Sequence, residues 1–335
     1  MKKYLFHVGI DISKLKLDVV LLQTESSKVV EHFIVENTQK GIKILMNHLQ
    51  KKKIDLSNTL FCCENTGVYT FPLSIYLSEK SLDYWVVPAI EIKRSKGISR
   101  GKNDKTDAKD IALYSLRNID KLKLSTIAEK EIQQLKLLYS EREKVIKSIG
   151  LFGMATENKD FIPNDVYKVI ASLNAKTIKA LKKSLKDIES KIKEIIKNNN
   201  EFKHQFDLIK SVPGVGEQTA IYIIIATKGF KTFDSARKFA CYSGVAPFEY
   251  TSGSSIRGRT KVNHMADKKM KTLLQMCALT AIKYDPQLKE YYNKKKKEGK
   301  NNMLVLNNVR CKIISRVFSV INRQTPYIDT YKFAS

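Results

Sequence analysis

The chain has 335 residues, 43% of them hydrophobic, and carries 60 Lys and Arg against 34 Asp and Glu, a formal net charge of +26. Such a length can bury more than one core, and the cationic excess points to a polyanionic partner, above all nucleic acid, whose condensed counterions are released on binding. No apolar run approaches the ~20 residues of a membrane-spanning helix, Met1-Lys2-Lys3-Tyr4 does not open a signal peptide, and the scattered Cys62, Cys63, Cys241, Cys277 and Cys311 lack zinc or disulfide spacing, which indicates a reducing compartment; with a nucleic-acid partner, the expected setting is cytoplasmic and nucleoid-associated.

In chain order, 4–10, 17–22 and 29–35 read as three successive strands. Asn37-Thr38 caps a helix that runs to about Lys52. A buried strand at 59–63, a helix at 68–80, a strand at 84–87 closed by Pro88 and a helix from Asp104 to Leu116 follow. The order β-β-β-α-β-α-β-α predicts a mixed sheet with helices on it, in a domain spanning 1–122. The region 123–205 reads as helical. Within it Ile178, Leu181, Leu185, Ile188, Ile192 and Ile195 keep a 3-4-3-4-3 spacing filled with Lys and Glu, the pattern of a coiled-coil seam. It predicts a dimerising linker, with packing on the helix's own domain as the alternative. The third region, 206–335, reads as mainly helical. From Tyr250 onward it holds 18 Lys and Arg against 5 Asp and Glu, so half of the net charge lies in the last quarter of the chain.

Chemistry is carried by acids. Asp11 ends the first apolar run, Glu64 ends the run 60–63, and Asp104 and Asp107 lie three apart at a helix start. Acids at the ends of adjacent strands point into one cleft, and residues i and i+3 share a helix face. Magnesium prefers such hard oxygen ligands, with Mn²⁺ as the alternative, and paired ions can activate an attacking oxygen and stabilise a leaving one at a phosphodiester. Each acid also has a structural reading: Asp104 as a helix cap, Asp107 and Asp110 as a solvated first turn, Glu64 as a lysine's partner.

Three segments carry a specific resemblance: Gly9-Ile10-Asp11-Ile12-Ser13-Lys14, Glu64-Asn65-Thr66-Gly67-Val68-Tyr69 and Asn103-Asp104-Lys105-Thr106-Asp107-Ala108. They resemble the acidic motifs of the DEDD transposases, insertion-sequence recombinases with a RuvC-like, ribonuclease-H-fold domain guided by a bridge RNA. Piv-type DNA invertases share the pattern. The resemblance implies that Asp11, Glu64, Asp104 and Asp107 bind metal, that a structured noncoding RNA selects element and target DNA, and that the active enzyme is a homo-oligomer.

Further on, Val212-Pro213-Gly214-Val215-Gly216 reads as a helix-hairpin-helix turn whose Gly214 and Gly216 let backbone N–H groups approach phosphate. A tight turn between packed helices fits it equally. The stretch from Tyr242 to Gly253 is similar to the family's second motif, a proline followed five residues later by Ser-Gly, and the resemblance makes Ser252 the nucleophile. From the residues alone, Ser254 and Ser255 compete with it. A basic Gly-Ser loop is expected at 251–261. Arg257, Arg259, Lys261, Lys268 and Lys271 stand as phosphate contacts, although Lys271 occupies the place where the family often has arginine. The resulting expectation is a DNA recombinase that cuts and rejoins strands, with a junction-resolvase-like nuclease, a Piv-like invertase and a non-enzymatic scaffold as rivals.

Overall fold

The computed structural model describes residues 2–95, 103–127, 129–154, 159–246, 248–252, 256–261 and 265–329. The chain divides into two units, Met1–Ile127 and Ala128–Ser335.

In the first unit, β1 (Phe6–Ile12), β2 (Lys16–Gln23) and β3 (Val29–Glu36) form an antiparallel meander. Then come α1 (Gln39–Lys51), β4 (Thr59–Glu64), α2 (Phe71–Glu79), β5 (Tyr84–Val87), α3 (Ala89–Ser95) and α4 (Asp104–Arg117). The strand order is 3-2-1-4-5, with β4 parallel to β1 and β5 parallel to β4. A three-strand meander extended by two parallel crossover strands is the ribonuclease-H-like mixed sheet. Thr38 caps α1 by accepting from the Gly41 N–H, as read from the sequence. The helix expected at 68–80 is shorter. A 3-10 turn over Gly67–Thr70 precedes α2, because Pro72 fits only the first turn of a helix.

Side chains alternate across a strand, and this sorts the sheet into two faces. Val8, Ile10, Leu17, Val19, Leu21, Phe61 and Cys63 pack with Ile42, Leu45 and Leu49 of α1 and Leu73 and Leu77 of α2. The other face lies under α3 and α4. There Val20 and Leu22 meet Ala108 and Ala112, while Leu60, Cys62 and Trp85 meet Ile92, Ile111 and Tyr114. Trp85 stacks at a tilt on Tyr114, 5.3 Å between ring centres. Gly9 sets how close α4 comes. A Cβ on Gly9 would stand 2.2 Å from the Ala108 carbonyl oxygen and 2.4 Å from the Ala112 nitrogen.

The second unit is helical: α5 (Lys130–Met154), α6 (Asn164–Asn198), α7 (Asn200–Lys210), α8 (Glu217–Thr227), α9 (Ala236–Tyr242), α10 (Lys268–Tyr284), α11 (Pro286–Lys297) and α12 (Asn302–Arg323). Between α9 and α10 the expected Gly-Ser loop is instead an antiparallel ribbon of β6 (Phe248–Ser252) and β7 (Ile256–Lys261). Helix α8 is apolar on nearly every side and buries Ala220, Ile221, Ile223 and Ile224, as a central helix does. One core joins Ile132, Leu135 and Tyr139 of α5 and Ile192 and Ile196 of α6 to α7, α8, α10 and α12. The regions read separately as 123–205 and 206–335 therefore share a core. Ile188, Ile192 and Ile195 of the heptad seam pack into it within one chain, and Arg142 of α5 bonds Glu189 of α6 at 2.8 Å.

Gly9→Ala is expected to destabilise the first unit by roughly 2–3 kcal/mol, because backbone atoms of α4 must move to admit one methyl. A lowered urea midpoint at unchanged slope is the signature.

Candidate active site

The sheet's alternation places the acids. On β1, Ile10 and Ile12 face α1, so Asp11 faces α4. On β4, Phe61 and Cys63 face α1, so Glu64 takes the α4 side. The parallel register pairs Ile10 with Cys63, which brings Asp11 and Glu64 level at neighbouring strand ends. Helix α4 starts over this edge. Its cap is Asn103, whose side chain accepts from the Thr106 N–H at 2.7 Å, so Asp104 and Asp107 occupy the first turn without Asp104 serving as the cap. After Glu64 the chain turns through Gly67 at φ +69°, a conformation glycine adopts without strain.

The electrostatics of the face follow. Burial pushes the Asp11 carboxyl up to about 6, reinforced by the charges of Asp107, Asp104, Glu64 and Asp18 in that order. A fifth acid, Asp18, lies inside the apolar run of β2. It is the cross-strand partner of Asp11, is buried, and accepts from Lys16 at 3.0 Å. The donor set is oxygen-only, and its mutual repulsion is what a hard divalent cation relieves. Among the described residues, no three His, Cys, Asp or Glu side chains already stand together as a metal-binding group. Asp104 is paired with Lys16 at 2.7 Å.

In the second unit Ser252 is the last residue of β6, opposite Ile256, and Arg257 lies opposite Thr251 on β7. Ser254 and Ser255 lie outside the described residues, as do the side chains of Ser252, Arg257, Arg259 and Lys261. The base of this ribbon is clamped. Asp267 accepts from the hydroxyls of Tyr222 at 2.9 Å and Tyr242 at 2.8 Å, and its other oxygen caps α10 at the Met270 N–H. The Asp267 N–H donates to the Tyr242 carbonyl at 2.9 Å, so the chain on either side of the ribbon is tied together. Asn307 of α12 donates to the Val245 carbonyl at 2.6 Å. Lys268 and Lys271 sit in the first turn of α10, where the helix dipole disfavours cations and welcomes anions. Of the two glycines in the turn before α8, Gly214 (φ +88°) packs on α10, where a Cβ would meet the Cys277 carbonyl at 2.7 Å. Gly216 has open space. Glu217, at the start of α8, is held by Lys193 at 3.0 Å and Lys210 at 3.6 Å.

An acid-lined face on a ribonuclease-H-like sheet is the arrangement of enzymes that act on phosphodiesters of nucleic acid. Comparison with known proteins supplies the family. Residues 8–151 match the model of the IS110 DEDD transposases, and residues 206–293 match that of the "Transposase IS116/IS110/IS902 family". The chain belongs to this transposase family and is a DNA recombinase. It is 21% identical over 334 residues to the pilin gene-inverting protein of Moraxella bovis, covering 96% of this chain and 97% of that protein. It is 32% identical over 133 residues to an uncharacterised 42 kDa protein of insertion element IS900 from Mycobacterium paratuberculosis, covering 39% of this chain and 32% of that one. A RuvC of T. thermophilus, solved in complex with a Holliday junction substrate, aligns with 37% of this chain over its whole length at a TM-score of 0.29 and 9% identity. No helix among the described residues is long and apolar enough to cross a membrane.

Two outcomes are expected. The native Asp11 carboxyl keeps its proton over a range in which the unfolded chain has lost it. Metal-free protein therefore loses stability as pH rises from about 4 through about 6, by about 1–2 kcal/mol once screening at a half-buried site is allowed for. Asp11→Asn flattens that profile and raises the neutral-pH melting temperature, read by thermal denaturation in chelator. Asp267→Ala removes a helix cap and the acceptor of two tyrosines. It is expected to cost about 2 kcal/mol and to speed amide exchange in β6 and β7, while Asp267→Asn, which still caps, does so less.

Proposed function

We propose that the chain cuts DNA strands and rejoins them to new partners, with Asp11, Glu64, Asp104 and Asp107 holding Mg²⁺ or Mn²⁺ and Ser252 acting as the nucleophile. The observation that carries this reading is geometric: Asp11 and Glu64 stand level at neighbouring strand ends on one face of the sheet, with Asp104 and Asp107 in the first turn of α4 and near enough for their charges to act on the half-buried Asp11. A bound divalent ion would supply charge stabilisation at the phosphodiester and lower the proton affinity of the attacking oxygen. The protein's own residues do the rest. The four carboxylates fix where that charge sits. The Ser252 oxygen forms a bond to phosphorus while a deoxyribose oxygen leaves and takes up a proton. Attack by a deoxyribose hydroxyl of another strand then restores a diester and returns the serine. Because the bond energy is held in the serine ester, joining needs no separate energy source.

Arg257, Arg259, Lys261, Lys268 and Lys271 are the phosphate contacts in this reading. Cations placed in the first turn of α10 against its dipole support it. Gly216 remains open for backbone approach, whereas Gly214 contributes by seating the turn on α10. Full-length similarity to the pilin gene-inverting proteins supports strand exchange over simple hydrolysis. The family resemblance adds a structured guide RNA beside the DNA, and the +26 charge suits polyanionic partners of either kind. A homo-oligomer is supported by the apolar side chains exposed on the α5–α6 hairpin, Leu151, Phe161, Val166, Val169 and Leu173, which offer a surface for a second copy to complete the site across protomers. Action on DNA supports a cytoplasmic, nucleoid-associated setting.

Purified protein is incubated with Mg²⁺, its element's end DNA and the flanking noncoding transcript, then run on a denaturing gel. A protein–DNA adduct in wild type, absent from Ser252→Ala and from Asp11→Ala, is the expected result. Cleavage without adduct that survives Ser252→Ala and is lost in Asp11→Ala would replace this reading with a resolvase-like nuclease. Dependence of the adduct on the transcript identifies the RNA as a guide.

A further inference from the structure

A lysine stands among the acids. Lys16, the first residue of β2, contacts Asp104 Oδ2 at 2.7 Å and Asp18 Oδ2 at 3.0 Å. Asp18 is buried, with its side chain 4% exposed, and its other oxygen lies 3.3 Å from His32 Nε2 on β3. It faces the same side of the sheet as Asp11, its cross-strand partner, and adds to the repulsion that raises the Asp11 carboxyl. A buried acid beside four others makes the face harder to hold together unless it seats a cation, and the cation it seats is Lys16. The two carboxylates in turn hold the Lys16 ammonium above the ordinary lysine range. Lys16 and Asp104 are 41% and 53% exposed, so an ion arriving from solvent can exchange with the ammonium.

We propose that Lys16, seated on Asp18, is the resident counter-cation of the acidic face: it pairs with Asp104 before a divalent ion binds and yields Asp104 when the ion arrives, so that the Lys16–Asp18 pair sets metal affinity. This rests on the reading of the four acids as a metal site. Lys16 is here a positioning residue. It neutralises part of the cluster and keeps the first turn of α4 docked over the strand ends in the metal-free protein. Its ammonium also opposes the ion, since two cations then compete for one carboxylate. The same reach from β2 across to α4 ties Asp104 to the strand that neighbours Asp11.

The test is calorimetric titration of full-length wild type, Lys16→Met, Lys16→Arg and Asp11→Asn with Mg²⁺ and Mn²⁺, with thermal melting in chelator alongside. Lys16→Met is expected to bind either ion roughly threefold to tenfold more tightly and to melt lower than wild type when metal-free. Lys16→Arg, which keeps the charge, should restore both values. Unchanged or weaker binding by Lys16→Met, with wild-type binding intact and lost in Asp11→Asn, overturns the counter-cation while leaving the metal site standing. Wild type and Asp11→Asn titrating alike, or neither binding, would remove the metal site and the proposal with it.

Discussion

The closeness of α4 to β1 is the constraint on which the first unit depends. Two backbones approach at Gly9 until there is no room for a methyl group. That approach lays the first turn of α4 over the edge of the sheet where β1 and β4 end. It is how acids nearly a hundred residues apart in the chain come to act on one another. The packing that permits it is apolar and local, Val20 and Leu22 against Ala108 and Ala112. The small size of the two alanines matters as much as the absence of a side chain at Gly9. The hydrophobic effect that docks the helix works against the repulsion of the acids it delivers. The compensation is visible in Lys16, bonded to both sides of the gap.

The second unit solves a different problem, the presentation of a ribbon. A nearly all-apolar α8 forms the centre around which the other helices pack. Gly214 permits the turn before it to press on α10. The same α10 begins at Asp267, which collects hydroxyls from α8 and α9 as well as capping its own helix. The ribbon's feet are thus fixed by the elements of the core.

Much of this was legible in the residues. Strand-end acids and a period of two place Asp11 and Glu64 on one face, and the i, i+3 pair Asp104 and Asp107 announces a helix start. Asp18 is hard to see in the sequence because the run it interrupts is otherwise apolar. Its parity relative to Leu17 and Val19 was the available signal, since a polar residue in phase with Val20 must share the face of Asp11. Gly-Ser content points to a loop at the ribbon and masks the alternation in Phe248-Glu249-Tyr250-Thr251-Ser252 and Ile256-Arg257-Gly258-Arg259-Thr260-Lys261. The heptad seam of α6 was real as a pattern, yet a 3-4 spacing does not say whose helix fills it. Here the C-terminal half is filled by the chain's own core. Asp267 could not be ranked above other caps, because the tyrosines that meet it are 45 and 25 residues away.

The chain has a single tryptophan, Trp85, buried on the α4 side of the sheet against Tyr114. The other intrinsic emitters, tyrosine and phenylalanine, are excited at shorter wavelengths. Fluorescence excited at the red edge of the aromatic band therefore follows one unit alone, and follows the very interface that carries the acids. Loosening of α4 from the sheet would shift the emission of Trp85, whatever the state of the helical unit. The molecule carries its own optical gauge of whether its acidic face is assembled.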